Sequence, residues 1–178
     1  MVKMNSKNIG EIVYSEDEIQ KKVKEIAANI NQDFKDKEPL LIGILKGSIY
    51  FLSDLSRLLD INHNIDFLSI GRFQTTEGPR EKVKITKDLD LSIRNRDIIV
   101  VEDIIRTGLT HSYILKNLEP RQPQSINLCV FLDCQEQRLV DLPIKYSGFE
   151  MDSRFVIGYG LDYKEKYRNL PFVAEFKE

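Results

Sequence analysis

Hydrophobic positions along the chain follow two periods that alternate with one another. Ile, Val and Ala recur at helical spacing between residues 19 and 30, directly after Ser15 and Glu18, which can form a capping box. A second stretch with helical spacing covers residues 49–59. Short runs rich in apolar residues, typical of buried strands, occupy four further segments: 40–45, 65–70, 98–101 and 126–132. The pattern therefore predicts strands that alternate with helices.

This alternation favours one α/β domain with a central, mainly parallel sheet flanked by helices and joined by right-handed crossovers. The chain has 178 residues, about the length of one domain, and contains no repeat or Gly/Ser-rich linker. The polar interval 71–82, which contains Gly78 and Pro79, interrupts the pattern. We expect a mobile flap there, and an ordinary exposed hairpin is the alternative.

Composition excludes several classes of protein. With 26 Lys and Arg against 28 Asp and Glu, the formal net charge is -2, which disfavours binding to nucleic acid. No apolar run approaches the ~20 residues that span a bilayer, and the first ten residues are polar, so we expect a soluble, cytoplasmic protein that does not engage membranes. Two Cys and two His are too few for a disulfide framework or a convincing zinc cluster.

The segment that carries chemistry is 98–110, IIVVEDIIRTGLT, in which an apolar strand runs into two acids and a glycine-containing turn before a helix. In open α/β sheets, ligands bind beyond the carboxyl ends of the strands. A turn containing Gly108 can direct several backbone N–H groups at an anion, helped by the hydroxyls of Thr107 and Thr110. Glu102 and Asp103 are placed to bind a sugar diol or a divalent cation. The segment therefore suits a sugar phosphate, although an acidic strand end followed by a plain capped helix is the alternative.

Two commoner nucleotide-binding signatures are absent from the sequence. It contains no GxxxxGK[ST] segment, and Gly158-Tyr159-Gly160 lacks both the third glycine and a following helix. Neither a P-loop nor a dinucleotide fingerprint is therefore predicted.

Residues 101–110 resemble the phosphoribosyl pyrophosphate signature of type I phosphoribosyltransferases, and Glu-Asp-Ile-Ile followed by Thr-Gly-x-Thr is similar to the hypoxanthine-guanine branch. Four further segments also resemble parts of this family, so that nearly the whole chain is covered: 45–48, 87–90, 144–150 and 154–171. The resemblance implies the type I phosphoribosyltransferase fold over residues 1–178. This fold has a small hood from the N-terminal and C-terminal segments and a flap at about 71–82.

The resemblance also implies an activity, a cofactor and an assembly. The family makes IMP or GMP from hypoxanthine or guanine and phosphoribosyl pyrophosphate, depends on Mg²⁺, and forms homodimers or homotetramers. The residues that would hold the 5'-phosphate are Thr107, Gly108, Leu109 and Thr110. Those that would contact pyrophosphate are Lys46, Gly47 and Arg168, in a family where the Leu-Lys peptide bond is often cis. The carboxylates that would bind magnesium are Glu102, Asp103 and Asp162, the first two also holding the ribose hydroxyls.

The resemblance assigns three further residues to the purine. Lys145 would donate to the 6-oxo group during catalysis, which favours hypoxanthine and guanine over adenine. Phe155 would stack on the base, and the carbonyl of Val156 would meet its exocyclic edge.

Two positions depart from the family pattern. Arg106 occupies a position that is normally Asp, where the carboxylate interacts with purine N7 and is the favoured general base. An arginine stays protonated, so it cannot accept a proton, and it could instead compete with magnesium for Glu102 or Asp103, bind a phosphate, or point to solvent. In the flap, Arg72-Phe73 replaces the usual Ser-Tyr pair. The alternative function is therefore a catalytically impaired regulatory protein that binds a nucleotide or phosphoribosyl pyrophosphate.

Overall fold

The structure, a computed structural model, describes residues 8–75 and 78–177, with the backbone alone at 72, 74, 75 and 78–82. Three helices and nine strands follow one another along this part of the chain. In chain order they are β1 (Ile9–Tyr14), α1 (Glu16–Asp33), β2 (Leu40–Leu45), α2 (Ile49–Arg57), β3 (Asn64–Thr75), β4 (Gly78–Lys87), β5 (Asp97–Ile105), α3 (Leu109–Leu118), β6 (Ser125–Asp133), β7 (Ile144–Glu150), β8 (Val156–Ile157) and β9 (Val173–Phe176).

Six strands form the main sheet in the order β4-β3-β2-β5-β6-β7. All neighbours are parallel except β3 and β4, which pair antiparallel. The predicted α/β class with a mainly parallel sheet is thus confirmed. The chain moves from β2 to β3 in one direction along the sheet and later adds β6 and β7 in the other. The carboxyl ends of β2 and β5 consequently flank a topological switch point, where α/β sheets bind ligands.

Helices cover both faces of this sheet because side chains alternate along its buried strands. Leu41 on β2 packs in one core cluster with α1 and α2. Leu40 and Ile42, its neighbours on the same strand, pack in a second cluster with Ile114 and Leu118 of α3. The sequence prediction that residues 40–45 form a strand buried on both faces is confirmed.

The first helix begins as its sequence predicts. The backbone N–H of Ser15 donates to Glu18 Oε2 at 2.8 Å, and the backbone N–H of Glu18 donates to Ser15 Oγ at 3.4 Å, which completes the capping box. The buried residues of α1 are those with helical spacing in the sequence: Ile19, Val23, Ile26, Ala27 and Ile30.

The interval predicted as a flap is built as the arm of a β-hairpin. Residues 71–75 belong to β3 and residues 78–82 to β4, with Gly71 opposite Lys84 and Phe73 opposite Lys82. The described residues of this interval thus form the hairpin that the sequence offered as the alternative. A two-stranded hairpin can also close over a site, so its role as a mobile flap stays a prediction. The sequence pattern does not indicate these strands, because the interval is polar and contains Gly78-Pro79. A hairpin that extends beyond the core needs no apolar face. Residues 76 and 77 and the side chain of Arg72 lie outside the described residues.

A second, small sheet has the order β1-β9-β8 and joins the N-terminal and C-terminal segments. Val156 of β8 and Val173 of β9 share a core cluster with α1, which fixes this sheet against the main one. Its position brings the segment around Phe155 to the carboxyl edge of the main sheet. In the described ranges, no helix is both long and apolar enough to cross a bilayer.

Candidate functional site

A cavity of about 480 Å³ opens at the switch point, beyond the carboxyl end of β5. This volume lies within the usual range of small-molecule sites. Its lining combines the end of β5, the first turn of α3 and the segments on either side of β8. The lining residues are Asp103, Ile104, Arg106, Thr107, Gly108, Thr110, His111, Phe155, Val156, Leu161 and Asp162.

The two acids of β5 have different surroundings. Asp103 lines the cavity, whereas the buried Glu102 does not line it, and Oε2 of Glu102 lies 2.7 Å from Nε2 of His111. Burial raises the pKa of Glu102 to about 7 and lowers that of His111 to about 4. Burial, together with the neighbouring charge of Glu102, raises the pKa of Asp103 well above its ordinary value. Burial therefore favours the neutral form of each acid, and a cation bound beside Asp103 would favour its ionised form.

Glycine at position 47 allows the end of β2 to approach Asp103. A Cβ atom on Gly47 would lie 1.6 Å from Asp103 Oδ2, so that no larger residue fits without moving the carboxylate. A Cβ atom on Gly160, whose φ is +98°, would lie 2.0 Å from the carbonyl oxygen of Gly47. The Leu45–Lys46 peptide bond is cis, as the resemblance implies. Three separate backbone segments therefore meet beside one carboxylate.

The turn after β5 has the geometry expected of an anion site. Gly108 adopts a left-handed conformation with φ of +80° and precedes the first residue of α3. The first N–H groups of a helix lack intrahelical partners, and the helix dipole adds positive charge there. The backbone N–H of Leu139 donates to the carbonyl of Thr107 at 3.0 Å, which anchors the turn from outside.

Phe155 supplies an apolar surface to the cavity. The residue is 49% exposed, which is unusual for a large aromatic side chain. Tyr163 and Phe176 pack against its ring in T-shaped contacts, with centroid distances of 6.0 and 5.9 Å. The exposed part of the ring is available to a planar ligand.

The guanidinium of Arg106 lies on the same wall as Phe155. Its Nη2 donates to the backbone carbonyl of Arg154 at 3.2 Å, and its Nη1 donates to Gln137 Oε1 at 3.3 Å. The guanidinium has no hydrogen bond or ion pair with Glu102 or Asp103. It is therefore not placed to compete with a cation for the acid pair.

Two ion pairs lie where the segment after β8 passes the end of β2. Arg168 donates to the carbonyl of Gly160 at 2.7 Å and pairs with Asp162 at 2.9 Å. Lys46 pairs with Glu165 at 2.9 Å in an exposed contact. Lys46 can exchange the exposed Glu165 for another anion, whereas the pair of Arg168 and Asp162 is only partly exposed.

Comparison with known proteins agrees with this geometry. Residues 11–164 match the phosphoribosyl transferase domain family. A hypoxanthine-guanine phosphoribosyltransferase of Bacillus subtilis is 41% identical over 174 residues, which cover 98% of this chain and 97% of that protein. One from Streptococcus mutans is also 41% identical, over 175 residues with the same coverage.

The chain belongs to the hypoxanthine-guanine phosphoribosyltransferase family.

Solved structures of this family superpose closely on the chain. A hypoxanthine-guanine phosphoribosyltransferase of Bacillus anthracis aligns with a TM-score of 0.90 at 42% identity and covers 96% of this chain and 99% of that one. A hypoxanthine phosphoribosyltransferase of Staphylococcus aureus aligns with a TM-score of 0.91 at 38% identity, covering 98% and 97%. These relatives carry the names of enzymes, so the alternative of a regulatory protein finds no support among them.

The structure does not bring every predicted site residue of this phosphoribosyltransferase to the cavity. Eight predicted residues line it: Asp103, Arg106, Thr107, Gly108, Thr110, Phe155, Val156 and Asp162. Gly47 and Arg168 touch lining residues, Glu102 lies behind Asp103, and Lys46 lies beside the site in its pair with Glu165. The side chain of Leu109 is 53% exposed and does not line the cavity.

Lys145, the predicted donor to the purine, lies far from the cavity. It lies near the amino end of β7 and pairs with Asp33 at 2.8 Å, at the end of α1. The carboxyl end of β7 is five residues away, at Glu150, or about 16 Å along an extended strand. This placement corrects the expectation that Lys145 donates to the purine, because the side chain lies at the amino ends of the strands and the cavity lies at their carboxyl ends.

The sequence reasoning missed His111, which lines the cavity and binds Glu102. In the sequence, His111 is one of only two histidines, which are too few for a convincing zinc cluster. Its place directly after the Thr-Gly-Leu-Thr turn, in the first turn of the helix, was the available signal, since that turn faces the end of β5. Ile104 and Leu161, which also line the cavity, carried no such signal.

Proposed function

We propose that this protein is a purine-salvage enzyme that transfers the phosphoribosyl group of phosphoribosyl pyrophosphate to hypoxanthine or guanine. The products are IMP or GMP and pyrophosphate. The observation that carries the proposal is that one cavity combines Asp103, the turn at Gly108 and the half-exposed ring of Phe155. An acid, an amide-lined turn and an aromatic surface suit a sugar diol, a phosphate and a purine, the three parts of the product.

The phosphate end of the substrate would occupy the turn before α3. Backbone N–H groups from Gly108 and the first turn of α3 are available donors, and the hydroxyls of Thr107 and Thr110 add to them. Anchoring the 5'-phosphate there fixes one end of the ribose. The remainder of the molecule then extends towards Asp103.

The donor set of the cavity fits Mg²⁺. Asp103 and Asp162 both line it, and a cation there would favour the ionised form of Asp103, whose pKa burial raises. Within the described ranges, no group of three or more His, Cys, Asp or Glu residues could hold a metal by itself. This suits Mg²⁺, which takes one or two carboxylates and completes its octahedron with water and substrate oxygens. Bound there, Mg²⁺ would offset the charge of the departing pyrophosphate.

Lys46 and Arg168 are the cations available to pyrophosphate. Each now pairs with an acid, Lys46 with Glu165 and Arg168 with Asp162. The Lys46 pair is exposed and contributes at most about 1 kcal/mol, so a highly charged anion can replace Glu165 at small cost. The backbone of Gly47 lies between these side chains and the acid pair.

The reaction forms a bond between a purine ring nitrogen and C1' of the ribose while the bond from C1' to the pyrophosphate oxygen breaks. The transition state resembles an oxocarbenium ion, as in glycoside cleavage. The proton of the ring nitrogen leaves to solvent, because Arg106 stays protonated and accepts none. Positioning by the phosphate turn and by Phe155, with charge complementarity around Asp103, supplies the rate acceleration.

The test is nucleotide production by the purified protein with Mg²⁺, phosphoribosyl pyrophosphate and, separately, hypoxanthine, guanine and xanthine. We expect IMP or GMP by chromatography, and a loss of at least about 10²-fold in Asp103→Asn. Asp97→Asn, at the amino end of the same strand, is the matched control and should stay close to the parent. An inactive parent together with a strongly active Arg106→Asp variant would reject the enzyme and favour a binding protein.

The proposal extends to location and assembly. We expect a cytoplasmic enzyme that acts on small molecules and forms a homodimer or homotetramer. Light scattering of the purified chain distinguishes these states from a monomer.

A further inference from the structure

The side chain of Arg106 is held against the wall of the cavity from two directions. One hydrogen bond reaches the backbone carbonyl of Arg154, the residue directly before Phe155, and the other reaches Gln137. The guanidinium is thus fixed beside the backbone that carries the aromatic ring. A ligand that stacks on Phe155 would share the cavity with this cation, because both residues line it.

Most of the hydrogen-bonding capacity of this guanidinium remains free. An arginine has five N–H donors and no acceptor, and the two bonds to Gln137 and Arg154 use two of them. Among the described residues that line the cavity, Arg106 alone carries a fixed positive charge. The free N–H groups of Arg106 therefore favour a ligand that presents hydrogen-bond acceptors to them.

A purine with a 6-oxo group presents two acceptors side by side, O6 and N7. The planar fork of arginine matches this pair, and the same bidentate contact is the commonest specific contact to guanine in DNA. Adenine presents an amino group at position 6, which would place donor against donor. Since Lys145 lies at the far edge of the sheet, it cannot provide this discrimination.

We propose that Arg106 is a specificity-determining residue that donates to O6 and N7 of the purine stacked on Phe155. This inference rests on the proposed function, since it assumes that a purine occupies the cavity. It assigns to Arg106 the selection of 6-oxopurines over 6-aminopurines.

The experiment compares nucleotides that differ only on this edge. Titration calorimetry with Mg²⁺ measures the affinity of the full-length protein for IMP, for 7-deaza-IMP, which lacks the N7 acceptor, and for AMP. We expect the parent to bind IMP about 10- to 100-fold more tightly than either analogue, the range typical of one bidentate arginine contact. In Arg106→Met the three affinities should converge, while affinity for ribose 5-phosphate stays unchanged.

Two further variants make the outcome decisive. Arg154→Met removes a neighbouring positive charge but keeps the backbone carbonyl that Arg106 binds, so it should preserve the parental preference. Arg106→Gln is the second test if Arg106→Met fails to fold, and it should weaken the preference for IMP. A preference for IMP that survives both Arg106 variants overturns the inference but leaves the proposed function intact. A parent that binds none of the three nucleotides overturns both.

Discussion

Nε2 of His111 lies 2.7 Å from Oε2 of Glu102, and both side chains are buried. The contact joins the first turn of α3 to the end of β5, directly behind Asp103. Nδ1 of His111 is buried without a hydrogen-bond partner in the structure. Since burial lowers the pKa of His111 to about 4, the imidazole is neutral at pH 7, and its Nε2–H donates to the carboxylate whenever Glu102 is ionised. The pair therefore serves to hold an acid in place rather than to neutralise its charge.

We predict that His111→Leu destabilises the protein more at pH 8.5 than at pH 5.5. At pH 8.5 Glu102, with a pKa of about 7, is ionised in the folded state and loses its donor, at a cost of about 1–3 kcal/mol. At pH 5.5 the folded-state carboxyl is protonated. The unfolded histidine, with an ordinary pKa of 6.5, is charged there, which is a penalty to folding that leucine removes. Urea unfolding at both pH values measures the difference, with His111→Gln as the control that keeps a donor. An equal loss at both values would contradict the assignment.

Gly47→Ala should abolish most activity without unfolding the protein. Its Cβ atom would lie 1.6 Å from Asp103 Oδ2, so the carboxylate must move by more than 1 Å. Displacements of this size cost about 10²-fold in rate, which kcat/KM for phosphoribosyl pyrophosphate would report. Gly43→Ala, on β2 before Gly47, is the control, because its Cβ would meet Leu52 at 2.7 Å and Phe67 at 3.1 Å in the core rather than a site residue. A Gly47→Ala enzyme with parental kcat/KM would show that the approach of this backbone is unimportant.

The sequence predicts the main sheet well and the site only in part. Runs such as 98–101 are buried on both faces, so composition alone reveals the strand. The hydrophobic pattern does not reveal the strands of the small sheet, because β1 pairs with β9 across almost the whole chain and β8 has only two residues. Only the family resemblance predicts a hood from these N-terminal and C-terminal segments. For Lys145, the resemblance of segment 144–150 to the family does not state at which end of a strand a polar residue lies. The end at which Lys145 lies depends on where β7 begins, and the mixed polar and apolar composition of this strand does not mark its first residue.

Phe155→Ala should weaken purine binding selectively. Stacking of a base on an aromatic ring contributes about 1–3 kcal/mol, so we expect KM for hypoxanthine to rise by about 10- to 100-fold. KM for phosphoribosyl pyrophosphate should change little, because the phosphate would bind at the turn around Gly108 and not at the aromatic ring. Ile12→Ala, an exposed apolar residue of the small sheet, is the control for general loss of hydrophobic surface. Equal changes in both KM values would indicate that Phe155 supports the fold instead of the base.

Asp66→Asn should destabilise the protein at neutral pH, with a loss that shrinks in acid. The buried carboxylate accepts backbone N–H groups from Phe67, Asp90 and Leu91 at 2.7–2.8 Å. Burial alone would raise its pKa, but these donors and Lys87 outweigh burial and lower it. Because the folded-state pKa is lowered, the carboxylate stabilises the folded protein fully above the unfolded pKa of 3.8. This stabilisation is lost as the pH falls through the folded-state pKa. We expect Asp66→Asn to lower the free energy of unfolding by about 1–3 kcal/mol at pH 7, measured by urea unfolding. The exposed Asp90→Asn, as the control, should cost less than about 1 kcal/mol, and a loss for Asp66→Asn that persists at pH 3 would refute the ionic account.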